Sequence, residues 1–182
     1  MEPLIPKILT LNDALKNAQL PFGFGGAIAL AFCIDRPRAT ADLDVNVFVG
    51  VNEVDKLVKI LPNQIALSPK NIKTFKAIGQ VRLFWGDAPI DIFINTHEFH
   101  TSVAKRTYEV DFAGSRIPVL SCGDLTVFKV FFGRTKDWAD IEEIIRSHSI
   151  DPSKVFKQLC QLLGADNENV KTFKIVLQKV IG

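Results

Sequence analysis

Cysteines are scarce in this 182-residue chain, and their spacing excludes the common cysteine-based sites. None of Cys33, Cys122 and Cys160 lies in a CxxC pair, which argues against a zinc ribbon, and an odd number of cysteines does not suggest a disulfide framework. Cys33 and Cys160 lie in apolar stretches. We therefore expect reduced thiols in the core of a cytoplasmic protein.

The sequence also lacks the long apolar segments that membranes and export require. No uncharged apolar run reaches the roughly 20 residues of a membrane span, and the N-terminal segment has no signal-peptide apolar region. Hydrophobic residues still make up 47% of the chain and charged residues 23%, which is enough for a sizeable core. The net charge of +2 neither requires nor excludes a nucleic-acid partner. We expect no association with a membrane.

Two familiar phosphate-binding motifs are missing or incomplete. There is no GxxxxGK[ST] loop, and the pair Gly23-x-Gly25 is followed by Ile28 where a dinucleotide fingerprint has its third Gly or Ala. The glycines lead instead into an apolar stretch, residues 27–34, which we predict to be a buried helix. A helix that begins at Gly26 would direct free backbone N–H groups toward an anion above Gly25. Taken alone, a tight turn without a ligand explains these glycines equally well.

Asp42 and Asp44 lie on one face of a predicted strand. Side chains at i and i+2 point the same way, roughly 6.6 Å apart. The other face is apolar and is expected to be the core side, formed by Leu43, Val45, Val47 and Val49. Two carboxylates on one face repel each other unless a cation lies between them, and Mg²⁺ binds through carboxylates and substrate phosphates. Two solvated aspartates on an exposed strand are the alternative, which the depletion of Asp from strands weakens.

A third acidic residue, Asp91, interrupts the predicted strand Ile90–Ile94. Its neighbours are β-branched or aromatic, and an acid in a strand buried on both faces is costly unless it is paired or binds metal. Asp87 is the competing candidate. It lies in the turn over residues 86–89, where turn chemistry alone accounts for it.

The rest of the pattern alternates helices with strands up to residue 120 and is helical beyond it. We predict helices over residues 9–19 and 51–61, a loop over 62–71, strands over 75–78 and 81–85, and a hairpin over 108–112 and 116–119, at a sheet edge. Four helices should follow, over residues 122–132, 137–147, 152–163 and 167–180. The expected organisation is an α/β core over residues 1–120 with a helical region over 121–182 packed on it.

Two segments resemble those of a known family. Gly25-Gly26-Ala27, the following helix and the segment Arg38-x-Thr40-x-Asp42-Leu43-Asp44 are similar to the signature of the DNA polymerase β-type nucleotidyltransferases, and most of all to the AbiEii-like toxin branch. Residues 120–145 resemble the second landmark of that branch, in which a Lys precedes an Arg-x-Lys-Asp-x-x-Asp segment. Its positions here are Lys129, Arg134, Lys136, Asp137 and Asp140. One departure is Gly25-Gly26 where many members have Gly-Ser.

The resemblance implies a nucleotidyltransferase fold with a mixed sheet and flanking helices. It also implies transfer of a nucleoside monophosphate from an NTP to a hydroxyl, with Mg²⁺ or Mn²⁺ held by Asp42, Asp44 and Asp91. The implied contacts to the NTP come from Gly25, Gly26, Arg38, Thr40, Lys129 and Asp137. For Lys129 the alternative is a solvated lysine. For Asp137 it is a favourable charge at a helix N-terminus.

The resemblance implies only the chemical class of the acceptor and the kind of partner. The acceptor would be an RNA such as tRNA, a protein or a small molecule, and a toxin would be held silent by an antitoxin. Two alternatives stay open. One is a catalytically inactive module with the same fold that only binds its ligands. The other is an interaction domain in which the three acids are incidental.

Overall fold

Residues 3–182 are described by the computed structural model, and they divide into two units. The α/β unit comprises the chain up to Ile28 together with Ala39–Leu120, and the helical unit comprises Ala29–Arg38 together with Ser121–Gly182. The sequence predicts a single boundary after residue 120. In the structure, the short segment 29–38 groups with the C-terminal helices, so the chain leaves the α/β unit and re-enters it.

One seven-stranded mixed sheet forms the centre of the α/β unit, in the order β3-β4-β5-β2-β1-β7-β6. The strands are β1 (Phe22–Phe24), β2 (Leu43–Val47), β3 (Ile65–Ala66), β4 (Gln80–Trp85), β5 (Ala88–Phe93), β6 (Tyr108–Phe112) and β7 (Ser115–Val119). β2 runs parallel to β5 and β1 runs parallel to β7, whereas the other neighbours are antiparallel. The β6–β7 hairpin lies at an edge of the sheet, as the sequence predicts.

The central strands bury the face that the alternation predicts. Leu43, Val45 and Val47 of β2 are nearly inaccessible to solvent, as are Ile90 and Ile92 of β5. Branched apolar side chains of this kind suit the pleated, half-buried surface of a strand. The opposite face of these strands is therefore the one that carries the acidic side chains.

Helices precede and connect the strands of the α/β unit. They are α1 (Leu4–Asn17), α2 (Gly26–Leu30), α3 (Val54–Ile60), which follows a 3₁₀ turn at Val51–Glu53, α4 (Pro69–Ile78) and α5 (Glu98–Ala104). The predicted helix over 27–34 is present only as the five-residue α2. No helix within residues 3–182 is long and apolar enough to cross a bilayer.

The predicted strand over residues 75–78 is wrong, because these residues complete α4. Ser68 caps the helix by accepting a hydrogen bond from the backbone N–H of Asn71, and Pro69 occupies the first turn, where its missing N–H costs nothing. Gly79 ends the helix with φ of +71°. The capping residues lie in the segment predicted as a loop, so a helix signal overrides the short apolar run that suggested a strand.

Four helices make up most of the helical unit: α6 (Cys122–Phe132), α7 (Thr135–Arg146), α8 (Pro152–Leu163) and α9 (Glu168–Ile181). Ser121, Asp151 and Asn167 cap α6, α8 and α9 by accepting hydrogen bonds from first-turn N–H groups. Helix α6 packs against the other three. The predicted helices are confirmed here, because their caps and apolar periodicity agree.

The prediction of reduced thiols is wrong for Cys33 and Cys122, which form a disulfide within the helical unit. Their Cα atoms are 5.6 Å apart although 89 positions separate them in the sequence. Nearby, the Ser149 hydroxyl donates a hydrogen bond to the Cys33 carbonyl. The pairing could not be predicted from spacing, since it depends on segment 29–38 lying beside the start of α6. Cys160 is free, as expected.

Candidate functional site

The structure brings Asp44 and Asp91 side by side. They are register partners on the adjacent parallel strands β2 and β5. Neighbouring strands lie about 4.8 Å apart, and register partners point to the same face of a sheet. Asp42 directly precedes β2 and lies two positions before Asp44, which places it along the same face. Thr40 supports it, because the Thr40 hydroxyl accepts a hydrogen bond from the Asp42 backbone N–H at 3.2 Å.

The Gly25-Gly26 turn lies directly against Asp44. The Gly25 N–H donates a 2.9 Å hydrogen bond to the Asp44 carbonyl. Gly26 has φ of +50°, and a Cβ at this position would overlap the Asp44 carboxylate. Glycine is therefore required at Gly26 both by conformation and by space. The helix that follows has only five residues, so its dipole adds little, and close backbone approach is the main feature of this turn.

Arg82 is the residue that sequence reasoning misses. It lies on β4 as the register partner of Asp91. Its guanidinium donates to both carboxylate oxygens of Asp91, with Nε–Oδ1 at 2.8 Å and Nη2–Oδ2 at 2.5 Å. The hydrogen bonds and the charge of Asp91 raise the pKa of the Arg82 guanidinium above its usual value, and the charges of Asp42 and Asp44 raise it further. The only signal in the sequence was a basic residue within the apolar run of β4.

Asn46 is a second residue that the motifs do not mark. It lies two positions beyond Asp44 on β2, hence on the same face, and its side chain is only 6% exposed. A Cβ on Gly25 would lie 3.2 Å from the Asn46 Nδ2 atom. The Asn46 amide therefore lies beside the glycine turn, on the same face of the sheet as the carboxylates.

The carboxylates suit a hard divalent cation, but one of them already has a cationic partner. Asp42, Asp44 and Asp91 offer only carboxylate oxygens, which Mg²⁺ and Mn²⁺ prefer. Both oxygens of Asp91, however, accept hydrogen bonds from Arg82. Within the described part of the chain, no group of three or more His, Cys, Asp or Glu side chains is gathered closely enough to hold a metal ion. Asp91 therefore already has a cationic partner, and metal binding by Asp42, Asp44 and Asp91 stays a prediction.

The remaining predicted residues lie in the helical unit, where an ion network joins them. Lys129 is 5% exposed, and its ammonium donates a hydrogen bond to Asp140 Oδ2 at 2.7 Å and lies 3.6 Å from Asp137 Oδ1. Arg38 donates to both oxygens of Asp140, at 3.2 and 3.1 Å. Burial by itself raises the pKa of Asp140, but the hydrogen bonds and charges of Arg38 and Lys129 outweigh it and hold that pKa below its ordinary value.

Asp137 has a structural explanation of its own. It is fully buried, and its carboxylate accepts hydrogen bonds from the backbone N–H and the guanidinium of Arg134, which precedes α7. This arrangement satisfies the start of the helix. Lys129 and Asp137 therefore have partners inside the helical unit, and their contact with a nucleotide stays a prediction.

His97 and His100 lie at the start of α5. His97 precedes α5, and its Nδ1 atom accepts a hydrogen bond from the Phe99 backbone N–H at 3.1 Å. The His100 Nδ1 atom is 3.2 Å from the His97 carbonyl. The two rings cap and close the first turn of a helix, and burial lowers the pKa of His100.

Comparison with known proteins identifies the fold and nothing finer. No protein-family model matches the sequence, and no curated protein matches it. Among solved structures, an antigenic nucleotidyltransferase-like protein from Paracoccidioides brasiliensis is similar over 97% of this chain and 88% of its own, with a TM-score of 0.55 and 16% identity.

Two antibiotic-related structures are similar to the same degree. ANT(2″)-Ia in complex with adenylyl-2″-tobramycin has a TM-score of 0.52 and 14% identity, and the similarity covers 98% of this chain and 99% of that one. The lincosamide antibiotic adenylyltransferase LnuA, with lincomycin bound, has a TM-score of 0.52 and 13% identity, over 76% of this chain and 94% of its own. With its mixed seven-stranded sheet and flanking helices, the chain has the nucleotidyltransferase fold.

Proposed function

We propose that the protein transfers a nucleoside monophosphate from an NTP to a hydroxyl group and releases pyrophosphate. The observation that carries this proposal is the placement of Asp44 and Asp91 in register on neighbouring strands, with Gly26 in contact with Asp44. Carboxylates that face a backbone turn without side chains suit a metal-bound triphosphate. The fold and the resemblance of the motifs to nucleotidyltransferases support the same reaction.

The reacting groups have separate roles in this proposal. Asp42 and Asp44 would hold Mg²⁺ or Mn²⁺, which would supply positive charge to the attacking and leaving oxygens. Asp91, once free of Arg82, would join them as a metal ligand and accept the proton of the acceptor hydroxyl. The new bond joins that oxygen to the α-phosphorus, and the bond from the α-phosphorus to the bridging oxygen breaks as pyrophosphate leaves. Such a reaction depends mostly on positioning and electrostatics, so the fixed carboxylates are its main requirement.

The other predicted residues act on binding. The N–H groups and bare backbone at Gly25 and Gly26 approach the phosphates, and Thr40 orients Asp42. Arg38 is the phosphate-binding side chain of the helical unit, where Asp140 holds it by two hydrogen bonds. Lys129 acts through Asp140 and positions Arg38, and Asp137 maintains the start of α7.

Labelled transfer tests this function. The protein is incubated with each α-³²P-labelled NTP and Mn²⁺ or Mg²⁺, in the presence of an aminoglycoside, a lincosamide, tRNA or a cell protein extract. Wild type should label one acceptor class, chelation by EDTA should stop the reaction, and Asp44→Asn should reduce labelling to background. Asp87→Asn, in the exposed β4–β5 turn, is the matched control and should keep full transfer. Equal labelling by Asp44→Asn and wild type would rule the mechanism out.

The same experiment separates the enzyme from an inactive binding module. A module would bind NTP and metal but would label none of the four acceptor classes under any metal condition. The antibiotic acceptors are included because LnuA and ANT(2″)-Ia are similar in fold, and tRNA and protein because the motifs resemble the toxin branch.

We further propose an antitoxin as the partner if tRNA or protein is labelled, and a cytoplasmic setting, where NTPs are available. The Cys33–Cys122 disulfide is unusual for a reducing compartment. Thiol labelling of the protein in intact cells measures whether this pair is oxidised there.

A further inference from the structure

We propose that Arg82 is the resident cation of the carboxylate cluster. It competes with divalent metal for Asp91. It releases Asp91 when its guanidinium binds the phosphates of a nucleotide instead of the carboxylate. The second half rests on the proposed function, whereas the competition for Asp91 does not. Arg82 thus acts as a positioning residue that makes strong metal uptake depend on the nucleotide.

The geometry of the pair shows that Arg82 occupies the place of a cation. Arg82 and Asp91 are cross-strand register partners, so their side chains leave the sheet on the same face. The two hydrogen bonds at 2.8 and 2.5 Å engage both oxygens of Asp91. Asp44 on β2 is the other register partner of Asp91. Each oxygen of Asp91 keeps a second acceptor site, but a metal bound there would lie beside the guanidinium, so metal and Arg82 compete for the same carboxylate.

The charges explain why metal alone does not break the pair. The three aspartates carry three negative charges and Arg82 carries one positive charge, so the cluster has a net charge of about −2 at neutral pH. One divalent ion bound by Asp42 and Asp44 neutralises that charge while Asp91 keeps Arg82. Bringing Asp91 to the metal would instead leave a free guanidinium next to a divalent cation, and like charges at such distances repel strongly.

A nucleotide reverses this balance. Its triphosphate brings several negative charges, which attract both additional metal and the guanidinium. The planar fork of Arg binds phosphate oxygens as well as it binds carboxylates. The Arg82 side chain is 54% exposed whereas that of Asp91 is 10% exposed. The guanidinium can therefore turn toward a ligand in solution by side-chain rotation, while Asp91 stays in place to receive metal.

Opposite changes in two binding constants test the proposal. Mn²⁺ binding is measured from the electron paramagnetic resonance signal of free Mn²⁺, without nucleotide. Binding of an α,β-methylene NTP is measured separately by equilibrium dialysis at saturating Mn²⁺. The proteins are wild type, Arg82→Gln, Arg82→Lys and the control Arg116→Gln. Arg116 lies on β7, four strands from β4, so its replacement removes the same charge at a distance of about 19 Å.

Arg82→Gln should bind Mn²⁺ at least about tenfold more tightly than wild type and the methylene NTP at least about tenfold more weakly. Arg82→Lys keeps the positive charge but lacks the planar guanidinium. Its Mn²⁺ affinity and its nucleotide affinity should both lie between those of wild type and Arg82→Gln. Arg116→Gln should match wild type. Circular dichroism confirms that each variant is folded, and the half-exposed Arg82→Lys keeps the test available if Arg82→Gln unfolds.

Three results would overturn the proposal. The first is unchanged Mn²⁺ binding by Arg82→Gln, which would mean that Arg82 does not compete for Asp91. The second is unchanged nucleotide binding in that variant, which would mean that Arg82 is not transferred to the phosphates. The third is a parallel loss of both affinities, which would give Arg82 a purely structural role. If wild type binds no NTP at all, the proposed function fails, and the Mn²⁺ measurement alone decides the competition.

Discussion

Gly26 and Asp44 are in direct contact, because the α-carbon of the glycine lies where any Cβ would overlap the carboxylate of the aspartate. Asp44 is fixed on β2 by pairing with both β1 and β5. The position of its carboxylate and the conformation of the turn therefore depend on each other. A change at position 26 must move either the turn or the proposed metal ligand.

Gly26→Ala should disturb both the conformation of the turn and the position of the Asp44 carboxylate. Alanine with a positive φ costs about 1–2 kcal/mol, and the overlap with Asp44 adds displacement of the carboxylate. We expect a lower melting temperature together with loss of the thermal shift produced by Mn²⁺. Gly114→Ala is the matched control, since Gly114 also has a positive φ, +81°, but no atom within 4 Å of the added Cβ. It should lose stability and keep the Mn²⁺ response. A normal Mn²⁺ response in Gly26→Ala would contradict the contact.

Asn46→Leu should separate stability from ligand binding. Asn46 is 6% exposed on β2, so an apolar side chain of similar size should keep the free energy of unfolding within about 1 kcal/mol of wild type. If the amide contacts the nucleotide, affinity for the α,β-methylene NTP should fall severalfold. Asn12→Leu is the control, because Asn12 is also buried with an unpaired Oδ1 atom, on α1. Identical nucleotide affinities in the two variants would remove Asn46 from the site.

Lys129→Ala should be strongly destabilising. It leaves the buried carboxylates of Asp137 and Asp140 without the cation between them, and removal of one partner from a buried ion pair costs about 3–5 kcal/mol. Because Arg134 and Arg38 remain, we expect a loss near 3 kcal/mol in a urea titration. Lys136→Ala, an exposed lysine on α7, should change stability by less than about 0.5 kcal/mol. A stable Lys129→Ala protein that binds NTP poorly would instead support the phosphate contact predicted from the sequence.

Acid should weaken the protein partly through Asp140. The pKa of Asp140 is lower in the folded state than in the unfolded chain, where the pKa of an Asp carboxyl is about 3.9. Its contribution is therefore fully present above that value and is lost as the pH falls through the folded-state pKa. The free energy of unfolding of wild type should decline below about pH 4 more steeply than that of Asp140→Asn. Asp111→Asn, an exposed residue of β6, is the charge-matched control and should follow wild type. Equal slopes for Asp140→Asn and wild type would show that Asp140 has no part in the decline.

Reduction should weaken the protein through the Cys33–Cys122 disulfide. A crosslink between residues 89 positions apart is worth about 4.6 kcal/mol by the loop-entropy estimate. Dithiothreitol should therefore lower the guanidinium midpoint of wild type, while Cys33→Ala/Cys122→Ala should start lower and not respond. Cys160→Ala, which removes the free thiol, should keep the response. A midpoint of wild type that is indifferent to dithiothreitol would mean that the crosslink contributes nothing.

Most of the fold could be predicted from local patterns in the sequence. The alternation in β2 and β5 places the core side chains correctly, and the caps Ser121, Asp151 and Asn167 mark the starts of three helices. These signals act within a few residues, so they can be seen without knowing the topology. The error at residues 75–78 arose where a short apolar run competed with the capping signal at Ser68, and the predicted loop over 62–71 also contains β3 and the start of α4.

What the sequence could not show depends on which strands and segments become neighbours. The role of Arg82 depends on the antiparallel register that places it opposite Asp91. The Cys33–Cys122 bond and the Arg38–Asp140 pair likewise join residues 89 and 102 positions apart. The same limit applies to Lys129, whose mixed surroundings along the chain did not reveal a buried acidic partner. Long-range pairing is therefore the missing information.

The position of β1 has a consequence for synthesis on the ribosome. β1 lies in the middle of the sheet, and its partner β7, joined through Phe24 and Val119, leaves the ribosome about 95 residues later. At 5–20 residues per second, this leaves one side of a nascent central strand unpaired for roughly 5 to 20 s. Open strand edges pair with other chains. Crowded polysomes translating this message should thus be prone to cross-chain strand pairing, and a nascent-chain chaperone that covers Phe22–Phe24 would improve the yield of folded protein.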